Sequence, residues 1–334
     1  MNKDKIWNRI LIIGIILMMV GAIIYFVVGR TELISINYTI GSYYSWFFTV
    51  FFVVLAIFIF FCIYNSNAEK QNKKTAVTEC IHIFFDYKFL LKQLITRDFA
   101  VKYRRSYLGI VWVILNPLMQ MIILSSIFSF VFRSNIDNFP VYLILGQVVY
   151  NFFNEATTVA LGTMVTSGQL IKKIYMPKYI FPISKTIFSF INFLISFIPV
   201  MMVMLFFGVY PNIYWIYLPL YFVTLFAFTL GIGLLLAAMD VFMRDTQYLY
   251  GILLPLLNFL TPIFYPVTAL SPLIQKIMWW NPLFQYVDCI RHIMLYNTAP
   301  SIQQMAMCLL YGFGFLFIGM SYFYRRQDRF ILYI

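Results

Sequence analysis

Arg97, Lys102, Arg104 and Arg105 stand together just ahead of an apolar run that begins at Ile110. Clustered guanidinium and ammonium groups bind anions, above all phosphate oxygens. A second group, in SGQLIKKIYMPKYIFPIS, sets Lys172 and Lys173 beside Leu170, Ile171, Ile174, Tyr175, Met176 and Pro177. Apolar side chains on a short charged loop need a partner surface to cover them. A third feature is Glu155 in YNFFNEATT, accompanied by Asn151 and Asn154 well inside an apolar stretch. A carboxylate there is costly to desolvate and points to function. The alternative is that it lies near a polar interface, paired with a lysine such as Lys185.

Other chemistry is missing from the sequence. No GxxxxGK[ST] loop is present to cradle nucleotide phosphates. HExxH, GxSxG and paired-carboxylate patterns are absent too, and the only histidines are His82 and His292. Cys62, Cys80, Cys289 and Cys308 have neither metal-ligand spacing nor a paired pattern. The expectation is that this chain binds no cofactor and catalyses no reaction of its own. An integral glycosyl- or acyltransferase using a lipid-linked donor is the competing class. It would need acidic or histidine groups clustered on one face, and none is evident.

The elements that must carry these residues are membrane spans. The 334 residues are 62% hydrophobic and 11% charged, whereas a soluble domain carries about 25% charged residues. The expected class is an all-α polytopic membrane protein. Stretches long enough to cross are Ile10–Val28, Trp46–Tyr64, Ile110–Phe132, Val141–Met164, Ile180–Phe207, Ile213–Met239, the shorter Tyr248–Phe264, and Met305–Tyr324. The first reads as a retained span, since no small-residue cleavage site follows it. Pieces within 266–301, interrupted by Pro272 and Pro282, are too short to cross and read as re-entrant or interfacial helices.

The net charge of +12 does not imply nucleic acid, because the Lys and Arg residues fall between spans. Those after the second, fourth and last spans outnumber those in the alternate loops. By the positive-inside rule, both termini and the basic loops are cytoplasmic. The stretch 87–109 then reads as a helix in the membrane interface, with Leu90, Leu94, Val101 and Leu108 on one stripe and basic groups at headgroup level. The polar stretch 65–84 separates an N-terminal two-span hairpin, 1–64, from a six-span core, 85–334.

LITRDFAVKYRRSYLGIVWVILNPLMQMII resembles the start of the polysaccharide-exporting ABC-2 permeases, which follow a LxxRDxxxRYxxSxLGxxWxxxxP pattern. Arg97, Asp98, Lys102, Tyr103, Arg104, Ser106, Leu108, Gly109, Trp112 and Pro117 fall on it. Lys102 stands at a position often occupied by arginine, which keeps the charge and loses the planar fork. LIKKIYMPKYIFPIS resembles the same family's coupling helix, over 168–177. VFMRDTQYL, TPIFYP and WNPLFQYVDCIR continue the likeness in order over roughly 85–334, while the N-terminal hairpin departs from it.

The resemblance implies a type V exporter-like permease that works as a homodimer with two copies of a cytoplasmic ABC ATPase. ATP and Mg²⁺ would be bound by that partner. The substrate would be a lipid-linked glycan such as O-antigen, teichoic acid or capsule. Leu170 to Pro177 would couple to the ATPase, and Arg97, Lys102, Tyr103, Arg104 and Arg105 would receive a lipid pyrophosphate. Trp112, Tyr248, Tyr250 and Phe264, on the first and fifth core spans, would be candidates for a translocation path. An ABC-2 exporter of a small lipid or drug would share the coupling helix but explains the basic and LGxxW pattern less well.

Overall fold

The structure, a computed structural model, describes residues 87–104, 106–131, 136, 138–173 and 176–333. The expected hairpin at 1–64 and linker at 65–84 lie outside the described residues. Every regular element among the described residues is helical, and residues 88–334 form one compact unit.

Helix α1, Lys88–Tyr103, buries Leu91, Leu94 and Asp98, one turn or two apart on a single face. The chain then turns through Gly109, whose φ of +54° favours glycine. A 3₁₀ turn, Gly109–Val111, runs directly into α2, Trp112–Val131. The expected interface helix over 87–109 is therefore shorter. Val101 is exposed, and Leu108 lies beyond the helix, so neither continues the stripe that starts at Leu90 and Leu94. The side chain that completes the buried face is Asp98.

Helix α3, Phe139–Leu161, is the central element, with 17 of its 23 residues buried. Gly162 separates it from a single turn, Thr163–Thr166, and α4 follows at Gly168–Lys173. The run Ile180–Phe206 divides into α5, Ile180–Ile195, and α6, Phe197–Phe206. Pro199 explains the break, because its ring clashes with the carbonyl four residues earlier, at Ile195, and it lacks an N–H. Helix α7, Leu218–Phe242, follows a 3₁₀ turn at Ile213–Tyr217. Then come α8, Thr246–Leu260, two short helices, α9, Pro272–Trp279, and α10, Pro282–Met294, and finally α11, Ile302–Arg326. Both short helices begin on proline, which needs no N–H partner in a first turn. Asn281 caps α10 by accepting from the Leu283 N–H at 3.0 Å.

Among the described residues, four helical runs are long and apolar enough to cross a membrane: Gly109–Phe128, Ile180–Phe206, Ile213–Phe242 and Ile302–Tyr333. The expected stretches Val141–Met164 and Tyr248–Phe264 are also helical, as α3 and α8. The first carries a polar row, and the second is 15 residues long. Helices α7 and α11 pack closely because glycines face the contact. A Cβ on Gly231 would collide with the backbone of Phe315 and Leu316, and one on Gly319 with the backbone of Gly231. Small residues at such crossings let helix backbones approach within van der Waals reach.

Candidate functional site at the interface helix

Two ion pairs and an aromatic contact join α1 to the bundle. The Lys185 ammonium of α5 donates to the Asp98 carboxylate at 2.8 Å, with the side chains 19% and 8% exposed. Arg97, half exposed, reaches the same oxygen at 3.3 Å. Phe99 meets Phe188 edge to face at 4.7 Å between centroids. One turn further along α1, the Lys102 ammonium lies 2.7 Å from Glu155 Oε1. That oxygen also accepts from the Asn192 amide at 3.1 Å, and the Tyr103 hydroxyl is 3.4 Å from the Asn192 carbonyl oxygen. Lys102 also lies 5.4 Å from the centre of the Phe188 ring. Burial raises the pKa of Tyr103 above the ordinary tyrosine value, against the opposing pull of Lys102. Its hydroxyl stays neutral and able to donate.

Of the two readings of Glu155, the structure shows pairing with a lysine, and the lysine is Lys102 rather than Lys185. Lys185 sits two turns before Asn192 on α5, on the Asp98 side, so the two bridges run in parallel between α1 and its neighbours. Asp98 in the RD pair is thereby a structural partner that motif reading left without a role.

A polar ladder continues from Glu155 along α3. The Asn151 amide donates to Gln120 of α2 at 3.0 Å, and the Gln147 amide donates to Asn151 at 3.0 Å. Lys102, Tyr103, Trp112, Asn116, Asn151, Glu155, Ser189 and Asn192 are among the residues around a cleft of about 140 Å³. Ser189 is 1% exposed, and its hydroxyl has no hydrogen-bond partner. Asn116 and Trp112 are exposed at the rim. Arg104 is exposed one residue past α1, while Arg105 lies outside the described residues.

Among the described residues of the expected coupling segment, Gly168–Lys173 are helical. Ile171 is buried, Leu170 is half-buried, and Lys172 and Lys173 are exposed. Met176 and Pro177 are half-buried outside the helix, and Ile174 and Tyr175 lie outside the described residues. The loop is tied to the C-terminal segment, since the Lys178 ammonium donates to the Gln327 carbonyl at 2.5 Å. Burial lowers the pKa of Lys178, with Asp328 opposing. Tyr179 stacks on Phe323 at 4.7 Å between centroids.

The four candidate path aromatics do not share one surface. Trp112 and Tyr248 are exposed, 50% and 76%. Tyr250 is buried and donates to the Thr157 hydroxyl at 2.6 Å. Phe264 is buried and stacks on Phe128 at 5.5 Å.

One charged residue that the sequence counts only among the loop cations is enclosed in the bundle. Arg291, placed by its sequence position in a loop region, is 1% exposed on α10. Its guanidinium donates to the carbonyls of Pro262 at 2.8 Å, Ile263 at 3.2 Å and Tyr142 at 3.2 and 3.3 Å. It also lies 3.4 Å from the centre of the Tyr142 ring. The available signal was register: Phe284, Val287 and Arg291 recur at helical spacing on one face.

The sequence profile described as "ABC-2 type transporter" matches residues 90–295. The O-antigen export system permease protein RfbA of Klebsiella pneumoniae is 29% identical over 247 residues, covering 73% of this chain and 95% of that protein. Its namesake from Myxococcus xanthus is 26% identical over 249 residues, at 74% and 95% coverage. The polysialic acid transport protein KpsM of Escherichia coli is 23% identical over 247 residues, at 72% and 95%.

Proposed function

This chain belongs to the ABC-2 type transporter family, and from that premise we propose that it is the membrane-spanning permease subunit of an ABC exporter of cell-surface polysaccharide. The carrying observation is that relatives named for O-antigen and polysialic acid export align over 95% of their own lengths. The chain resides in a bacterial cytoplasmic membrane, with both termini on the cytoplasmic side. Six core spans cross it. The polar row on α3 is compatible with crossing because most of that helix is shielded from lipid by its neighbours. The 1–64 hairpin adds two more.

The permease works as a homodimer with two copies of a cytoplasmic ATPase, which binds ATP and Mg²⁺ and hydrolyses the nucleotide. The segment from Leu170 to Pro177 docks on that ATPase. Its exposed Lys172 and Lys173 face the partner, and buried Ile171 ties movement of the segment to the bundle. The substrate is a glycan on a pyrophosphate-linked lipid. Arg104 and Arg105 supply cations for the phosphates, with half-exposed Arg97 beside them on its longer 3.3 Å contact to Asp98, while Lys102 is engaged by Glu155 at 2.7 Å. The exposed rings of Trp112 and Tyr248 offer stacking faces to passing sugars.

Co-expression with its ATPase tests this reading, and the expected product is a two-plus-two complex. Replacing Ile174 and Tyr175 together by glutamate abolishes transport-coupled hydrolysis while the subunits remain folded. Unchanged transport and hydrolysis in that variant would remove the coupling assignment.

A further inference from the structure

We propose that the cleft between α1, α2, α3 and α5 is a binding site for one neutral sugar ring, the residue of the glycan nearest its lipid carrier. The proposal rests on the reading of the chain as a lipid-linked glycan exporter and locates the sugar within it. Among the described residues lining the cleft, the charged groups are Lys102 and Glu155, and at 2.7 Å they neutralise each other. A phosphate entering here would meet the Glu155 carboxylate, and like charge rejects it. A sugar hydroxyl donates to a carboxylate and accepts from an ammonium, so it suits both members of the pair.

The rest of the lining is of the same kind. Asn116 brings a carboxamide at the rim, and Asn151 and Asn192, each already bonded once through its amide and once through its oxygen, retain a second N–H and a second lone pair. The Ser189 hydroxyl is enclosed and unpartnered at the cleft wall. Buried polar atoms are almost always satisfied, so this one points to a hydroxylic guest. Trp112 at the rim provides an apolar face for the carbon side of a ring. The volume of about 140 Å³ is below the roughly 300–1,000 Å³ of pockets for drug-sized ligands, which suits a single ring within the cleft. Arg104, immediately after the cleft residue Tyr103, puts cationic charge next to the site, where the carrier phosphate attached to that first sugar would lie.

The test uses the permease–ATPase complex in lipid nanodiscs and measures stimulation of ATP hydrolysis by two carriers. One is a bare polyprenyl pyrophosphate, and the other is the same lipid bearing a single neutral hexose. The wild-type complex is expected to respond to the sugar-bearing carrier at a half-maximal concentration roughly tenfold lower. Ser189→Ala removes no intramolecular hydrogen bond, so folding is not at risk, and it narrows that preference by roughly threefold. Trp112→Ala brings it close to unity. A wild-type complex indifferent to the sugar, or a preference unchanged in both variants, overturns the site and leaves the cleft to water. A complex that responds to neither carrier overturns the lipid-linked glycan reading itself, and the site with it.

Discussion

Lys102 and Arg291 are both cations set against an apolar helical bundle, and the bundle treats them differently. Arg291 is enclosed by α3, α10 and the chain after α8, and it is satisfied by three backbone carbonyls and a tyrosine ring. Two of those carbonyls, Pro262 and Ile263, follow the C-terminus of α8, and the third, Tyr142, belongs to α3. Exchanging partners there would strip a fully enclosed guanidinium of its acceptors. Lys102 is 43% exposed and held by a single carboxylate at the rim of an open cleft. A guest can insert there at little cost. Asp98–Lys185 lies between these cases: it is a carboxylate bridge like the second, yet mostly enclosed like the first. The depth of a charge and the identity of its acceptors therefore separate structural cations from those free to serve a ligand.

The comparison can be broken at its deep end first. Arg291→Ala takes the guanidinium donor from the Ile263 carbonyl and empties a fully enclosed site beside Tyr142 and Pro262, and is expected to cost about 4 kcal/mol. Thermal unfolding in detergent, followed by size-exclusion chromatography, reads that loss, and a stable monodisperse variant would end the structural assignment. Asp98→Ala strands the Lys185 ammonium and should cost about 3 kcal/mol. The double variant Asp98→Asn with Lys185→Met recovers most of it if the pair is purely structural. Gly231→Ala calibrates packing without any charge: its methyl meets the backbone of α11, which cannot yield as a side chain would. A loss of about 2 kcal/mol is expected on the same assay. Lys102→Met completes the series. An exposed pair contributes about 1 kcal/mol or less, so stability barely moves, while glycan export measured in cells falls severalfold. A variant that unfolds instead would place Lys102 with Arg291.

Much of this organisation is legible in the sequence. Apolar run length and the one-sided placement of Lys and Arg identify a polytopic membrane protein, because hydrocarbon thickness and charge transfer depend on composition alone. Proline spacing in 266–301 announced short helices, and α9 and α10 are that. The RDxxxKYRRSxLG motif marked α1, although its C-terminal limit was lost. A turn at Gly109 depends on one residue's backbone conformation, which hydropathy does not report.

The partners of charges were not legible. Lys102 meets Glu155 across 53 positions of chain, and Arg291 meets Tyr142 across 149. A hydropathy count registers Arg291 as a loop charge because it cannot see carbonyl oxygens converging from another helix. Tyr250 and Phe264 read as path aromatics like Trp112 and Tyr248, since ring content is local and enclosure is not. Composition and local pattern determined the solvent, the helices and the family likeness, all of which depend on neighbours in sequence. Which charges are locked, which rings are enclosed and where a cleft opens was decided by tertiary packing, because those properties depend on atoms that only the fold brings within 3 or 4 Å of one another.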